Sequence, residues 1–559
     1  MTIAKKKTKI PPSYKTGISE YYSSFIKLMR SYFTTDSIIV LSITLFALLI
    51  RISMLASPHG YSGCTSFRAP TYFFCSDDAL YMTMARYMIH GDFSKLLHPI
   101  WPPLFPFISG LVFLIVHNWA ATPRIVSLLT GSLLVIPVYF LCLNYFSRIV
   151  AIIAGIIIAL FSPLIISSVQ PLSESLMLIT LWTGIIFLLL SFKKKIPLMA
   201  FFCGVFFGLT ALTRVEGIFS FGSFLVFFTI SLLFKEIRTK QFFKLFLLVS
   251  IGFILIYEPY QLAMYNKFHT SMTLGKAATI FNFRSQFDLT QHGASSFGQD
   301  SVSIETVNPR SEIYSGFIDI LFKRYETMFD DTITRLKLEA NLVGSYLNSI
   351  KILLILFGFI FFIKVSIKNK EMLFLYIFFI LTLLGSTFFM PSLEERYIYW
   401  FLPFIPILLA LGFVHLIKAV SKYLQLRNYI TIVVYILSLT LLFNAQLIDS
   451  MRYAVNLTSI NQKPFIIPED AWLMKNDPGK RVMMHHEGYG FYSQSFIVYT
   501  PNVATVADLV KYAHLWKVSY MVDEYGEVPD QIRFILDKPK DYPGLKLIKG
   551  KNILLYKIL

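Results

Sequence analysis

Long uninterrupted apolar runs dominate the chain and determine its predicted architecture. Each is roughly 17 to 22 residues of mostly Leu, Ile, Phe and Val, without apolar/polar alternation. Such runs predict membrane-spanning helices rather than a β-barrel, because barrel strands alternate between lipid-facing and interior residues. We expect eleven spans, at about residues 37–56, 125–145, 149–166, 174–191, 197–213, 217–234, 243–259, 348–366, 372–390, 397–417 and 429–447.

A shorter apolar run, Leu104 to Val116, decides the topology. As a helix it would reach only about 20 Å, which is less than the roughly 30 Å hydrocarbon core. If it does not cross, basic clusters at 193–195, 235–244, 364–370 and 418–427 lie on the same side as the basic N-terminus. Because basic loops favour the cytoplasm, we predict that this run is a helix lying in, or dipping into, the outer interface.

This topology divides the chain into three parts. Residues 1–36 form a cytoplasmic N-terminus, 37–447 a transmembrane domain with outer loops 57–124 and 260–347, and 448–559 an outer tail. The tail alternates short apolar runs with helix and turn signals, which predicts a small soluble α/β domain. Cys64 and Cys75 share the first outer loop, so a disulfide between them is possible and stays open.

Composition agrees with this class of protein. Hydrophobic residues make up 55% of the 559 positions and charged residues only 15%, and the mean hydropathy is +0.60. The net charge of +18 would suggest nucleic-acid binding in a soluble protein. Here the charge lies in short clusters between apolar runs, which indicates contact with anionic lipid and no nucleic-acid partner.

Ionisable residues next to the outer ends of the predicted spans are the main functional signal. They are Asp77, Asp78, His98, Arg124, Glu174, Arg214, Glu216, Glu258, Glu394, Glu395 and Arg396. Charges at the rim of apolar helices are costly unless they are paired or used, so a shared polar cavity opening outward explains them economically. The alternative is that each side chain reaches the lipid headgroups alone.

The first outer loop contains a predicted helix with two adjacent carboxylates. Ser76 is a suitable N-cap, Leu80, Met84, Tyr87 and Met88 form one apolar stripe, and Gly91 is a natural stop. We therefore predict an amphipathic interfacial helix. Asp77 and Asp78 could simply complement the helix dipole. That reading does not explain two carboxylates beside anionic headgroups, so we expect a functional role for at least one.

These motifs, in this order, resemble the GT-C class of polyprenyl-phosphate-sugar-dependent glycosyltransferases. The similarity covers about residues 35–420 and is greatest to protein O-mannosyltransferases and the bacterial transferase that adds aminoarabinose to lipid A. The motifs are Asp-Asp-x-x-Tyr-x-x-x-Ala-Arg-Tyr from Asp77, Pro102-Pro103-Leu104, Arg124, Pro171-Leu172-Ser173-Glu174, Leu212-Thr213-Arg214-Val215-Glu216-Gly217, and Glu395-Arg396-Tyr397. The resemblance implies a GT-C fold and inverting sugar transfer from a lipid-phosphate carrier.

The resemblance also implies roles for particular residues. Asp77 matches the catalytic acid of the family, and Asp78 is its acidic neighbour, orienting it or binding the acceptor. Inverting transfer needs a base for the acceptor hydroxyl and a positive environment for the departing phosphate. We expect the donor-phosphate or substrate-binding residues to be His98, Arg124, Glu174, Arg214, Glu216, Arg396 and Tyr397. The arginines could instead pair with nearby glutamates, and for Arg214 with Glu216 that alternative is equally strong.

The sequence departs from its relatives in two respects. The aminoarabinose transferase has a basic residue at the position of Leu80 and a lysine at that of Trp101, so its mode of holding phosphate should not be transferred. Trp101 could be only an interfacial anchor. The Trp-Trp-Asp motif of oligosaccharyltransferases does not occur. The chain shows no metal-ligand spacing beyond His485-His486-Glu487, which we interpret as surface residues, and we expect no cofactor.

The predicted function is therefore transfer of a sugar from a polyprenyl-phosphate donor to a lipid, glycan or protein acceptor. We expect the transfer to occur at the outer face of a membrane, most simply a bacterial plasma membrane. The alternative is a polytopic transporter or flippase, because polar residues facing a cavity also mark substrate paths. Against it, the charges concentrate at one face rather than at mid-membrane, and we find no pair of broken helices suggesting inverted repeats.

Overall fold

A computed structural model describes residues 35–55, 77–98, 101–233, 239–268, 347–389, 399–427, 430–440, 466–484, 490–498, 505–524, 534–550 and 553–559, with isolated positions between them. The region up to residue 440 is helical. Its helices are α1 Thr35–Leu55, α2 Asp77–Ile89, α3 Leu104–Val116, α4 Thr122–Leu133, α5 Val135–Tyr145, α6 Arg148–Leu160, α7 Ser162–Val169, α8 Glu174–Lys194, α9 Pro197–Thr213, α10 Ile218–Leu233, α11 Thr239–Phe268, α12 Ser349–Lys368, α13 Leu373–Phe389, α14 Phe404–Tyr423 and α15 Ile430–Thr440.

Among the described residues, seven helical segments are long and apolar enough to cross a membrane, and the bent pair α6–α7 gives an eighth if it is one span. The seven are Thr35–Ser53, Thr122–Tyr145, Glu174–Lys194, Val215–Leu233, Phe242–Lys267, Ser349–Lys368 and Phe404–Tyr423. Each overlaps a predicted span. The remaining predicted spans also contain helix in the described residues, but those helices are shorter or incompletely described. The total of eleven spans therefore stays a prediction.

Local sequence explains where several helices begin. Ser147 accepts a hydrogen bond from the Val150 N–H and caps α6, and Asn348 caps α12 by accepting from the Lys351 N–H. Proline stands in the first turn of α4, α7 and α9, where a missing N–H is tolerated. Helices α12 and α14 cross closely, because Gly358 and Gly412 face each other's backbone and leave no room for a side chain.

Helix α2 confirms the predicted stop and corrects the predicted surroundings. Gly91 has a φ of +90° and its N–H donates to the carbonyl of Met88, which ends the helix as expected. The stripe residues Leu80 and Met84 are fully buried, but so is Met82 on another side. One apolar cluster contains Leu80 and Met84, and a second contains Met82 together with Phe105 of α3. Helix α2 is therefore covered on more than one side and does not have the exposed polar face of an interfacial helix.

The described part of the tail contains a five-stranded mixed sheet. Its elements are α16 Pro468–Asn476, β1 Arg481–Met484, β2 Phe496–Val498, α17 Val506–Leu515, β3 Tyr520–Glu524, α18 Phe534–Asp537, β4 Leu545–Gly550 and β5 Ile553–Ile558. The strand order is β2-β1-β3-β5-β4, with β1 parallel to both neighbours and β5 antiparallel to both of its own. Both faces are covered: Val482 and Met484 pack towards α16, and Met483 towards α17. The predicted mixed α/β character is confirmed for these residues.

A turn of this tail packs against the helical region. The turn consists of residues 490–495, and its Phe491 and Tyr492 join an apolar cluster with Ala79, Tyr81 and Met82 of α2. The Arg86 guanidinium donates to the carbonyl of Phe491 at 2.6 Å and lies 4.8 Å from the centre of its ring. The tail is therefore in contact with the helix that contains the paired aspartates.

Candidate active site

Asp77 and Asp78 occupy the first turn of α2 and point into different surroundings. Asp77 is half-buried, and the indole N–H of Trp101 donates to its Oδ1 at 3.1 Å. Asp78 is buried, and its Oδ1 accepts the N–H of Ala79 at 3.0 Å. Asp77 is thus the more accessible carboxylate, and one of its two oxygens is held by a neutral donor.

A short chain of contacts fixes the indole of Trp101. His98 is buried, its Nδ1 accepts the backbone N–H of Trp101 at 3.3 Å, and the two rings lie 4.7 Å apart. Because Nδ1 accepts, the proton of the neutral imidazole lies on Nε2. Tyr260 of α11 holds His98 from the other side: its hydroxyl accepts the His98 N–H at 3.2 Å and lies 3.1 Å from the His98 carbonyl.

One turn beyond Asp77, the ring of Tyr81 connects α2 with the start of α8. Its hydroxyl is 3.2 Å from the hydroxyl of Ser173, and the ring packs edge-on against Phe105 with centroids 5.1 Å apart. Burial raises the pKa of Tyr81, and the negative charge of Asp77 raises it further. Tyr81 therefore stays a neutral hydrogen-bonding group beside the carboxylate.

Arg214 is paired with two glutamates. Its Nη1 lies 2.6 Å from Glu174 Oε1 and its Nη2 lies 3.2 Å from Glu216 Oε1, and all three side chains are buried. This is the ion-pair alternative that the sequence left open, extended to a second partner. With one cation between two carboxylates, the group is not a favourable receptor for a phosphate dianion. Glu174 keeps a second oxygen, Oε2, for which the described residues supply no hydrogen-bond partner.

Arg124 lies in the first turn of α4 and is also buried. Its Nη1 donates to the carbonyl of Ala120 at 2.6 Å. Tyr492 of the tail lies within electrostatic range of Arg124 and Asp78, and burial raises the pKa of Tyr492. The neighbourhood of Asp78 thus combines a first-loop carboxylate, a span-end arginine and a tail tyrosine.

Other predicted site residues fall outside the described part of the chain. These are Arg396 and Tyr397, with Glu394 and Glu395, the cysteines Cys64 and Cys75, and His485, His486 and Glu487. Glu258 is described and lies exposed on α11. Within the described ranges, no three His, Cys, Asp or Glu side chains are grouped closely enough to hold a metal ion. Independence of metal remains a prediction.

Sequence reasoning missed several residues of this neighbourhood. Trp101 contacts the carboxylate directly, although the sequence favoured an anchoring role as strongly as any other. Tyr81 and Arg86 are the tyrosine and arginine of the quoted first-loop motif, so the motif itself contained the signal. Tyr260 and Tyr492 come from distant segments, and no local pattern in the chain pointed to them.

Comparison with known proteins supports the same class. Residues 98–258 match the sequence model of the dolichyl-phosphate-mannose-protein mannosyltransferase family. The fold is similar to the oligosaccharyltransferase of Archaeoglobus fulgidus, with a TM-score of 0.55 over 93% of this chain and 72% of that one, at 12% identity. It is also similar to ArnT from Cupriavidus metallidurans bound to undecaprenyl phosphate, with a TM-score of 0.50 over 93% of this chain and 97% of ArnT, at 11% identity.

No curated protein has a significantly similar sequence. At these identities the structural matches show a shared fold. Together with the family match over residues 98–258, they confirm the resemblance to GT-C glycosyltransferases, and the apolar helices support an integral membrane protein.

Proposed function

We propose that this protein is an inverting glycosyltransferase that moves a single sugar from a polyprenyl-phosphate carrier to an acceptor hydroxyl at the outer membrane face. The acceptor oxygen attacks the anomeric carbon while the bond from that carbon to the phosphate oxygen breaks. The bonding electrons leave with the polyprenyl phosphate, and the acceptor proton passes to Asp77. The GT-C-like fold supports this class of reaction. The observation that carries the proposal is the half-buried Asp77 carboxylate, which accepts the indole N–H of Trp101.

Asp77 has the features that a general base needs. It is half-buried and therefore reachable, and the Trp101 indole holds Oδ1 without supplying a positive charge. A carboxylate held in this way presents Oδ2 in a fixed direction, which favours proton transfer in the transition state. Asp78 is buried and bonded within its own helix turn, which better suits a supporting role.

The donor phosphate is expected near Arg124. Arg124 is a buried arginine in the first turn of α4 at the outer end of its span, in the same neighbourhood as Asp78 and Tyr492, whereas Arg214 is held between Glu174 and Glu216. Its planar guanidinium can contact two phosphate oxygens at once. The structure of ArnT that shares this fold is a complex with undecaprenyl phosphate, which supports a lipid-phosphate donor for this chain too.

An outer-face location is supported by the two ends of α3. Trp101 before the helix contacts Asp77, and Trp119 after it contacts Phe491, which in turn contacts Arg86 of α2. One end of α3 thus contacts α2 directly, and the other end contacts it through Phe491 of the tail. This supports a helix that stays on the same side of the membrane as the aspartates, and the positive-inside rule then assigns that side to the outside and gives eleven spans.

Replacement of the base tests the proposal. In Asp77→Asn the amide keeps the shape but accepts protons poorly, so transfer should fall by about 10² to 10⁴-fold. The measurement is transfer of label from a radiolabelled polyprenyl-phosphate sugar in purified membranes, with polyprenyl phosphate appearing in equal amount. Asp92→Asn is the matched control, because Asp92 is an acid of the same loop whose carboxylate accepts the Ser94 hydroxyl at 2.6 Å.

Three results would overturn the proposal. Full activity of Asp77→Asn would remove this residue from the mechanism. Movement of the intact labelled donor across the membrane, without release of polyprenyl phosphate, would favour a flippase. Failure of the wild-type protein to consume any polyprenyl-phosphate sugar would exclude this donor class.

A further inference from the structure

Trp101 is an unusual neighbour for a carboxylate at the edge of a membrane protein. Most interfacial tryptophans direct the N–H towards water or headgroups. Here the Nε1–H donates to Asp77 Oδ1 at 3.1 Å, across a separation of 24 residues in the chain. An indole N–H only donates, so the contact favours the ionised form of Asp77 without adding a charge.

Trp101 is itself held in place by two further residues. His98 accepts the backbone N–H of Trp101, and Tyr260 brackets the backbone of His98 through both its N–H and its carbonyl. Tyr260 belongs to α11, a span remote in sequence from the first loop. The direction of the indole is therefore set by contacts with the bundle as well as by the segment that precedes α3.

We infer that Trp101 is the positioning residue for the catalytic base, acting through its indole N–H on Asp77 and oriented by His98 and Tyr260. This inference rests on the proposed function, because it assigns to Trp101 a role in the same proton transfer. Trp101 itself exchanges no proton. Its N–H holds Oδ1 and thereby orients the carboxylate for the acceptor hydroxyl, and a donor to a carboxylate favours the ionised form.

The charged and titratable groups around Asp77 define what else could affect its titration. Asp78 and Tyr81 stand on the same helix, and Tyr81 interacts electrostatically with Asp77, Glu174 and Arg214. His98 stacks on Trp101, and Glu216 pairs with Arg214. Trp101→Phe keeps all of these side chains and an aromatic ring beside His98, and it removes the N–H that donates to Asp77. A change in the pH dependence of transfer upon that removal can therefore be attributed to the Trp101–Asp77 contact.

The test is Trp101→Phe in the full-length protein. We expect kcat to fall by about tenfold with the KM for the donor little changed, as for loss of one hydrogen bond to a charged group. The acidic limb of the kcat/KM profile should move to higher pH by about one unit, because the ionised base has lost a donor. Trp101→His, which keeps a ring N–H, should lie between wild type and Trp101→Phe.

Trp182→Phe is the matched control. It also removes a buried indole N–H, which donates to the Trp400 carbonyl at 3.4 Å, but at a place inside the bundle. Its pH profile should match that of the wild type. A double variant provides a second criterion: in the Asp77→Asn background, Trp101→Phe should cause almost no additional loss, since its effect passes through the removed base.

The outcomes separate the inference from the proposed function. If the wild type is active and Asp77→Asn is not, but Trp101→Phe and Trp101→His keep the wild-type pH profile, the inference is overturned and the proposed function stands. The inference is also overturned if the losses of activity caused by Asp77→Asn and Trp101→Phe are additive in the double variant. If the wild type transfers no sugar, or Asp77→Asn is fully active, the proposed function fails and the inference fails with it.

Discussion

Two adjacent carboxylates on one helix turn have different surroundings, and this difference assigns their roles. Asp77 is half-buried and held by an indole from the loop before α3, whereas Asp78 is buried and directed towards the region of Arg124 and Tyr492. Successive helix positions diverge by about 100°, so neighbours along the chain meet different elements. The sequence pattern identifies the pair, and only the resemblance to a known family singles out Asp77; the surroundings of each carboxylate become visible in the structure.

Arg124 is the residue for which we predict the clearest effect on donor binding. A charge-assisted contact to phosphate contributes roughly 1.5 to 3 kcal/mol, so Arg124→Ala should weaken donor affinity by about tenfold or more. Arg124→Lys should restore only part of it, since an ammonium lacks the two-pronged geometry. Titration of purified protein with polyprenyl phosphate measures the effect directly.

A control distinguishes binding from stability. Arg427→Ala removes an exposed arginine in the loop between α14 and α15, and it should leave donor affinity unchanged. If Arg124→Ala binds polyprenyl phosphate as tightly as wild type but unfolds at lower temperature, Arg124 only supports the start of α4 through its contact with the Ala120 carbonyl.

At the scale of whole elements, the break between α6 and α7 shows how a buried charge can be structural. Pro163 has no N–H, so the helix cannot continue its hydrogen bonds, and the axis bends by 54°. The Arg51 guanidinium, fully buried on α1, lies 3.5 Å from the carbonyl of Ala159 and 3.3 Å from that of Ile158. Its Nε donates to Ser168 on α7 at 3.0 Å, so one side chain joins both halves of the bend.

We predict that Arg51→Met destabilises the protein by about 1 to 3 kcal/mol, because buried carbonyls at the break lose their donors. Removing a buried charge offsets part of this loss, so Arg51→Gln, which keeps neutral donors, should lie closer to wild type. Thermal unfolding in detergent is the measurement. Arg148→Met serves for comparison: its side chain is 56% exposed, so loss of its ion pair with Asp36 should change stability less. Equal losses in the two methionine variants would contradict the structural role of Arg51.

How much could be predicted from the sequence differs between elements. The helix Leu104–Val116 has the bounds that its apolar run predicts, because the composition of such a run is a local property of the chain. In the tail, β2 lies within the short apolar run at 496–499, and β5 contains the run at 553–556 and extends two residues beyond it. The contact of Trp101 with Asp77 was not predictable, since an indole beside a membrane suits anchoring equally well. The packing of Phe491 on Arg86 joins residues 405 apart, a distance over which no periodicity in the chain has meaning.

At the scale of the whole molecule, that packing joins the tail to the helix that holds the candidate base. The turn at 490–495 is shaped by Asp470 of α16, whose carboxylate accepts the N–H groups of Tyr492 and Ser493, each at 3.0 Å. Arg86, whose pKa is lowered by burial, contacts the same turn. The tail therefore packs beside the candidate site and is not structurally independent of it.

Asp470 makes this contact sensitive to pH. Burial raises the pKa of Asp470 from 3.8 to about 6, and this effect outweighs the hydrogen bonds from the turn, which act in the opposite direction. The folded protein thus binds the proton more tightly than the unfolded chain. The resulting stabilisation is fully present below about pH 4 and is lost as the pH rises through about 6. At 1.36 kcal/mol per unit, the total is on the order of 3 kcal/mol.

We predict that the stability of the wild type relative to Asp470→Asn falls as the pH rises from 4 to 7, because the asparagine does not titrate. The measurement is thermal unfolding of both full-length proteins in detergent across this range. Asp537→Asn, an exposed acid on α18, is the control and should follow the wild-type profile. A wild type that gains stability relative to Asp470→Asn on going from pH 4 to pH 7 would contradict the prediction. It would mean that the two backbone hydrogen bonds and Arg86 stabilise the carboxylate more than burial destabilises it, and that the turn is held most firmly when Asp470 is charged.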